Sequence, residues 1–282
     1  MGTIELTAPP ATTPLFARAA LGALSGQHRP PELPDTELVL PGQAVDLDHL
    51  AAYARVCGFD LADRLPLTYP HVLGFGLQLA LMTGGDFPFP LLGLVHIRNR
   101  ITRHRPIRTD ELLTVRVRAN GLADHERGSQ FVLTTEVTVA GDLVWSGEST
   151  YLRRSGSGGS GRTREATEPP APSAVWRLPE DTGRRYAAVS GDRNPIHLHR
   201  LAARAFGFPR AIAHGMYTKA RCLAALGARL PEECVVDVAF GKPVLLPGTV
   251  GFSVRPVDGS ADLALHGQDG RCHLTGTARP AG

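Results

Sequence analysis

The residues of this chain best suited to chemistry lie in one short segment, YAAVSGDRNPIH, at residues 186–197. Asp192 and His197 are five residues apart in it, on either side of Asn194 and the proline that follows. Gly191 permits a tight backbone reversal, and a residue that precedes proline avoids the α region. The predicted bend can point both side chains into one cavity, where a carboxylate beside an imidazole forms an acid–base pair.

The same segment also allows a purely structural interpretation. Asp192 could make an Asx-turn and cap a helix that starts near Leu198, with His197 merely packed against it. For an isolated Asp-x-Asn-Pro string that alternative is favoured, but several special residues coincide here. The side chain of Asn194 could hydrogen-bond either catalytic candidate and fix its orientation. Ser190 is expected to hydrogen-bond within the loop, because no Gly-x-Ser-x-Gly elbow surrounds it.

The elements that must position this segment fall into two halves. A stretch at 155–173, rich first in Gly and Ser and then in Pro, is typical of a flexible-to-extended linker. It separates an N-terminal half at 36–154 from a C-terminal half at 174–282, each large enough for its own core. Residues 1–35, rich in Ala, Pro and Thr, are predicted to form an extended N-terminal arm.

The two halves resemble each other in sequence, which indicates an internal repeat. YARVCGF in the first half parallels YAAVSGD in the second, and this places Gly58 opposite Gly191 and Phe59 opposite Asp192. Each of these strings is followed by an apolar stretch with helical spacing, at 71–82 and at 212–226.

Strand-like segments with alternating residues come after each predicted helix. A helix followed by a run of antiparallel strands predicts an α+β fold, in which each of two long helices is wrapped by a curved antiparallel sheet. Turn dipeptides are expected between the strands; they are Asn120-Gly121, Gly141-Asp142, Asp258-Gly259 and Asp269-Gly270.

Composition and charge exclude several classes of function. A formal net charge of +3 without a dense basic patch argues against a nucleic-acid partner. The four cysteines form no CxxC, and the His-x-His at His197 and His199 has no third residue at zinc-ligand spacing, so we expect neither a metal nor another cofactor. The sequence has no stretch long and apolar enough for a bilayer and no basic segment typical of a signal peptide, which predicts a cytoplasmic protein without a membrane partner.

The string SGDRNPIH, followed by AFGFPRAIAHGM, resembles the hydratase motif of the MaoC-like (R)-specific enoyl-CoA hydratase/dehydratase family. That motif has an aromatic residue, Ser-Gly-Asp-x-Asn-Pro-hydrophobic-His, and then His-Gly-Met at the start of a hotdog helix. The resemblance covers about 40–282 and implies the fused, double-hotdog form. The matching residues are Tyr186, Ser190, Gly191, Asp192, Asn194, Pro195, Ile196, His197, His214, Gly215 and Met216.

The resemblance implies reversible hydration of trans-2-enoyl thioesters, carried by CoA or acyl carrier protein, to (3R)-hydroxyacyl thioesters. Asp192 and His197 would share the acid–base work, with His197 favoured as the group that acts on the water. Asn194 would orient them, and the Gly215 backbone N–H, at a helix start, would hold the enolate oxygen. Further residues expected to contact the substrate are Tyr186, Ser190, Gly191, His214, Met216, Arg193 and Lys242.

The first half has no Asp-x-Asn-Pro-x-His, so the resemblance implies a degenerate half that shapes the acyl pocket and one active site per chain. Its helix runs into GGDFPFP at 84–90, which predicts a short helix and a tunnel for a long acyl chain. Lys219 is expected to be a solvated charge or a phosphate contact. Two other functions stay open, a hotdog thioesterase and a non-catalytic acyl-thioester-binding protein. Two fused halves mimic a hotdog dimer, so a monomer and a homodimer are both compatible with the sequence.

Overall fold

A computed structural model of the chain describes residues 2–24, 30–154 and 171–281. The first half contains β1 (Gly2–Glu5), α1 (Thr12–Leu24), β2 (Thr36–Gln43), α2 (Leu47–Cys57), α3 (Tyr69–Met82), β3 (Leu94–Arg103), β4 (Leu113–His125), β5 (Gly128–Val139) and β6 (Asp142–Arg154). The second half contains β7 (Ala174–Leu178), α4 (Thr182–Ser190), α5 (Pro195–Leu198), α6 (Arg200–Ala205), α7 (Gly215–Leu226), β8 (Cys234–Phe240), β9 (Gly248–Val257), β10 (Ser260–Gly267) and β11 (Cys272–Pro280). Most of the predicted linker, residues 155–170, lies outside the described part of the chain.

The two halves share one sheet. Its eleven strands follow the order β1-β2-β4-β5-β6-β3-β8-β11-β10-β9-β7. The halves meet where β3 pairs antiparallel with β8, with Ile101 opposite Val236. The two separate sheets that the sequence predicts are therefore joined edge to edge, and neither half leaves an unpaired strand at this junction.

The internal repeat is visible in α2 and α4, which pack against each other. Gly58 and Gly191 end these helices with φ of 81° and 73°, the left-handed conformation that glycine adopts without a Cβ penalty. Tyr53 of α2 and Tyr186 of α4 are both buried, with ring centroids 6.3 Å apart. The repeat predicted from sequence is confirmed, and it brings the end of α4 against the first half.

The central helix of the first half is complete, which contradicts the expectation of a short helix and a tunnel. α3 has 14 residues against 12 for α7, and nearly all of its faces are buried. The segment after α3 closes the core, because Phe87 is fully buried with its ring centroid 5.1 Å from that of Phe131. No helix among the described residues is both long and apolar enough to span a bilayer.

The N-terminal arm is more ordered than its composition predicts. β1 pairs in parallel with β2, and α1 packs against α3 through Leu15, Phe16 and Ala19. These three residues recur at helical spacing, a signal that the high Ala, Pro and Thr content obscured. The expectation of an extended arm is wrong for Thr12–Leu24.

One of the four predicted turns is also wrong. Gly141-Asp142, Asp258-Gly259 and Asp269-Gly270 lie at strand junctions, but Asn120-Gly121 lies inside β4. The pairing register of β4 with β5 shifts after Asn120, and Gly121 has φ of 63°, as in a β-bulge.

Candidate active site

The loop that follows α4 orients the Asp192 carboxylate through short local hydrogen bonds. Ser190 Oγ accepts from the Asp192 backbone N–H at 3.2 Å, as expected of a residue that bonds within the loop. Asp192 Oδ1 accepts from the Asn194 N–H at 3.1 Å, which is an Asx-turn. Asp192 can therefore serve both as an Asx-turn residue and as an acid–base group, because the Asx-turn uses one carboxylate oxygen and leaves the other available.

Asn194 positions Asp192 and His197 through its backbone, and not through its side chain as predicted. Its side-chain oxygen caps α5 by accepting from the Ile196 N–H at 3.4 Å. Its backbone N–H donates to Asp192, and its backbone oxygen accepts from the His197 N–H at 3.0 Å. The predicted side-chain bond to Asp192 or His197 is wrong, since that side chain serves as the helix cap.

His197 is buried and held in one tautomer. Its Nδ1 lies 2.8 Å from the Ile212 carbonyl oxygen, so Nδ1–H donates there and Nε2 keeps a free lone pair. Burial lowers the pKa of His197, while the nearby Asp192 carboxylate raises it less. The imidazole is therefore neutral near pH 7 and can act as a base.

Gly183 of α4 sets the position of His197 and was not singled out in the sequence. A Cβ at this position would lie 2.0 Å from the His197 carbonyl oxygen and 3.0 Å from its carbonyl carbon. Only a glycine permits this backbone approach between α4 and α5. One sequence feature could have pointed to this role: Gly183 lies in a helical segment, where glycine is unfavourable because of its low helix propensity.

His214 completes a compact group with Asp192 and His197. Its ring stacks on that of His197 at 3.7 Å between centroids, and its Nε2 lies 3.0 Å from the Asp192 backbone oxygen. Burial lowers the pKa of His214 well below its ordinary value, so it donates to that oxygen as a neutral ring. This bond ties His214 to the loop that carries Asp192, and Tyr186 packs against its ring with centroids 4.9 Å apart.

The same three side chains offer ligand atoms within 4.8 Å of one another, a spacing that a metal ion could use. His197 Nδ1 and His214 Nε2 are already engaged with backbone oxygens. The expectation of no metal stays a prediction.

The N-terminus of α7 faces the same cavity. Gly215 is the first residue of the helix, so its N–H has no intrahelical acceptor, and the helix dipole favours negative charge there. A Cβ on Gly215 would lie 3.1 Å from the Phe240 ring, so this glycine also permits tight packing. The geometry is compatible with the expected role of the Gly215 N–H in holding the enolate oxygen.

Residues from both halves line one cavity of about 220 Å³. The predicted site residues on its wall are Tyr186, Ser190, Asp192, Asn194, His197, His214, Gly215, Met216 and Lys242. Gly191 shapes the loop without lining the cavity, and Arg193 is exposed outside it. The first half was expected to shape the pocket, but the residues that do so were not singled out from the sequence; they include His71, His96 and Tyr151.

Lys219 was expected to be a solvated charge or a phosphate contact, and this prediction is wrong. Its side chain is fully buried, and its Nζ donates to Asn99 Oδ1 at 2.6 Å, to the Asn99 backbone oxygen at 2.9 Å and to the Val236 oxygen at 3.2 Å. Burial lowers the pKa of Lys219 to about 7. This lysine ties α7 to the β3–β8 junction between the halves and cannot reach a phosphate in solvent.

The fold and site together define a MaoC-like hydratase/dehydratase with two hotdog halves. Residues 161–266 match the MaoC like domain, and residues 49–145 match the FAS1-like dehydratase domain region. The chain is 43% identical over 267 residues to 3-hydroxyacyl-thioester dehydratase X of Mycobacterium tuberculosis, covering 93% of this chain and 95% of that protein. The chain therefore belongs to the MaoC-like dehydratase family, and it is an enzyme of the hydro-lyase class.

Solved structures agree with the architecture. The crystal structure of HtdX of Mycobacterium tuberculosis, 41% identical, superposes with a TM-score of 0.79 over 87% of this chain and 100% of that one. Among sequence relatives, a 3-hydroxybutyryl-CoA dehydratase of Methylorubrum extorquens is 50% identical over 74 residues, which are 25% of this chain and 47% of that protein. A MaoC-like dehydratase from Phytophthora capsici, 19% identical with a TM-score of 0.70 over 87% of this chain and 95% of that one, shares the fold. The predicted double hotdog is confirmed.

Proposed function

We propose that this chain catalyses the reversible hydration of trans-2-enoyl thioesters to (3R)-3-hydroxyacyl thioesters at one site in its second half. One observation carries the proposal: the free Nε2 of a neutral His197, the Asp192 carboxylate and the Gly215 N–H line the same cavity. The 3-hydroxyacyl-thioester dehydratase of Mycobacterium tuberculosis, similar over nearly the whole chain, supports the same chemistry.

The residues have complementary roles in the hydration direction. Water attacks C3 of the enoyl thioester while His197 Nε2 accepts a proton from it. Negative charge that develops on the thioester oxygen is stabilised by the Gly215 N–H at the start of α7. Asp192, with one oxygen held by the Asx-turn, orients the water and relays the proton to C2. The net change is addition of H at C2 and OH at C3, and dehydration follows the reverse course.

The stereochemistry rests on the arrangement of the acid–base pair and on the family resemblance. Asp192 and His197 have ligand atoms within 4.8 Å of each other, so both can act from one face of the double bond. Delivery of the proton and the hydroxyl to the same face is syn addition. The (R) configuration at C3 follows from the resemblance to the (R)-specific hydratases.

We propose that the carrier, CoA or acyl carrier protein, binds at the mouth of the cavity. Lys242 is exposed there, and a neighbouring cleft of about 680 Å³ shares Val244 and His273 with the cavity. Arg177 and Arg210 line that cleft and can meet phosphate oxygens. Arg193 lies outside both linings and is not part of this proposal.

The acyl part of the proposed substrate is short. The cavity between the two halves has a volume of about 220 Å³. The complete α3 and the buried Phe87 close the route that a longer chain was expected to take.

The first half, 36–154, is proposed to supply walls and no second active site, because Phe59 stands in it where Asp192 stands in the second half. The cytoplasm is the proposed location, supported by the buried thiols of Cys57, Cys222 and Cys234, which are compatible with a reducing compartment. Association into a homodimer is a further proposal, and light scattering of the purified chain measures it directly.

Turnover of crotonyl-CoA tests the proposed function. We expect the enoyl absorbance to fall without release of free thiol, and chiral analysis to identify the (3R)-hydroxy product. Release of free CoA would favour a thioesterase instead. If the chain binds crotonyl-CoA and crotonyl-acyl carrier protein but turns over neither, it is a non-catalytic binding protein. An (S) product would contradict the stereochemical assignment.

A further inference from the structure

A second cleft, separate from the active cavity, is lined mainly by cations. It has a volume of about 280 Å³ and lies between α2, β7, α4 and α7. Among the described residues, no aspartate or glutamate lines it. Each of the four elements instead contributes one arginine, so guanidinium groups from distant parts of the sequence converge on one concave surface. We call it the arginine cleft, after its residues Arg55, Arg177, Arg185 and Arg221.

The arginines of this cleft have no carboxylate partner in the part of the chain that the structure describes. Other arginines on the surface do pair with acids, as Arg98 does with Asp237 and Arg255 with Asp262. Like charges that face one cleft repel each other, and an anion bound between them removes this repulsion. The unpaired charges therefore favour a negatively charged ligand.

Arg221 is held in place at the base of the cleft. Its guanidinium carbon lies 5.1 Å from the centre of the Trp176 ring, which is a cation–π contact. Its Nη1 donates a weak bond of 3.5 Å to the Cys57 carbonyl oxygen. Gly58 makes room for this arrangement, because a Cβ at that position would overlap the guanidinium group. Trp176 also stacks with Phe252 at 5.3 Å between centroids, so protein groups already engage the indole and recognition is left to the arginines.

The positive potential in the cleft has a second source. α4 begins at Thr182, which lines the cleft, and no side chain caps the first turn of this helix. The N-terminal end of a helix dipole favours anions, and it adds to the field of the arginines. Burial raises the pKa of Tyr217 at the floor of the cleft, and the charges of Arg221 and Arg185 oppose this rise, which places both guanidinium groups near its hydroxyl.

The planar guanidinium fork of arginine matches two oxygens of a phosphate group. We propose that the arginine cleft binds a phosphorylated anion of the diphosphate type. This inference goes beyond the proposed function, which requires none of Arg55, Arg185 and Arg221. The arginine cleft shares the segment 177–179 with the cleft proposed for the carrier. The phosphates could therefore come from the nucleotide end of a CoA substrate or from a free nucleotide bound beside the carrier.

Calorimetric titration of the full chain with inorganic pyrophosphate at low salt tests the site. We expect saturable binding with a Kd below about 1 mM. Arg55→Gln combined with Arg185→Gln removes two exposed charges from the cleft and should weaken this binding about tenfold, the size expected for a hydrogen bond to a charged group. Arg200→Gln combined with Arg279→Gln is the matched control, because it removes two exposed arginines outside the cleft and should change the Kd little.

Hydration of crotonyl-CoA and of S-crotonyl-pantetheine, which carries no phosphate, separates the two sources. If CoA supplies the phosphates, the Arg55→Gln/Arg185→Gln variant should have a KM about tenfold higher for crotonyl-CoA and an unchanged KM for crotonyl-pantetheine. If a free nucleotide is the ligand, neither KM should change, and pyrophosphate should bind equally well in the presence of crotonyl-CoA.

The inference would be overturned if pyrophosphate showed no saturable binding, or if the cleft variant and the control variant weakened binding equally. The binding measurement does not depend on turnover. A chain that binds pyrophosphate as expected and hydrates neither thioester would therefore retain this site and contradict the proposed function alone.

Discussion

Replacing Gly183 by alanine is expected to displace His197 without touching the substrate. The new Cβ would lie 2.0 Å from the His197 carbonyl oxygen, whereas carbon atoms in contact lie about 3.5–4.0 Å apart. The clash is between two backbone segments, so no side chain can rotate to relieve it. α4 and α5 must separate by more than about 1 Å for the contact to become acceptable.

The expected magnitude follows from that displacement. A shift of 1 Å at a reacting group costs about 100-fold in rate, so kcat for crotonyl-CoA hydration should fall by about this factor. KM should change much less, because Gly215 and the walls of the cavity are not moved. Overpacking should also reduce the free energy of unfolding by about 1–3 kcal/mol, which urea titration measures separately.

Gly85→Ala is the matched control for this variant. Gly85 is exposed and has no atom within 4 Å of an added Cβ, so its kcat and stability should equal those of the wild type. A folded Gly183→Ala enzyme with wild-type kcat would refute the reasoning, since it would show that the position of His197 is not set by this contact or does not matter for turnover.

Three further predictions follow from the charged and titratable groups. Because burial lowers the pKa of His197, kcat/KM should stay level as pH falls to about 6.5 and decline only at lower pH; a decline centred above that value would contradict the neutral base. The pKa of Lys219 is lowered to about 7 in the folded protein, whereas that of an unperturbed lysine is about 10.4. Between these two pH values the unfolded chain binds more protons than the folded one, so the free energy of unfolding should rise with pH across this range. Lys219→Met should abolish most of that rise, and parallel pH profiles for the two proteins would refute it. Dialysis against EDTA should leave turnover unchanged; a loss restored by a divalent metal ion would instead support ligation by His197 and His214.

The placement of Asp192 and His197 in one cavity could be predicted because its determinants lie in one contiguous string. Ser190, Asp192 and Asn194 form their turn through bonds between residues two apart, which sequence alone can indicate. The helix-start glycine, Gly215, was equally visible from its place before an apolar helical stretch. The fold class followed for the same reason, since helical and strand periodicities are local features.

What the sequence did not reveal depends on contacts between distant segments. His71 and His96 reach the cavity only because α3 and β3 of the first half pack beside the second half. Lys219 is buried because Asn99, 120 residues away, offers two oxygens to it. No local periodicity distinguishes such a lysine from an exposed one, and the same applies to the close approach of Gly183 to His197.

Asp192 and His197 are proposed to perform the chemistry at a single site. The most direct measurement is the rate of crotonyl-CoA hydration by Asp192→Asn and His197→Ala, with His199→Ala as a control, since His199 is exposed and outside the cavity lining. Loss of an acid–base group costs about 10²–10⁴-fold, so both variants should lose at least about 100-fold in kcat while remaining folded, and the control should match the wild type. Substantial turnover by either folded variant would contradict the account.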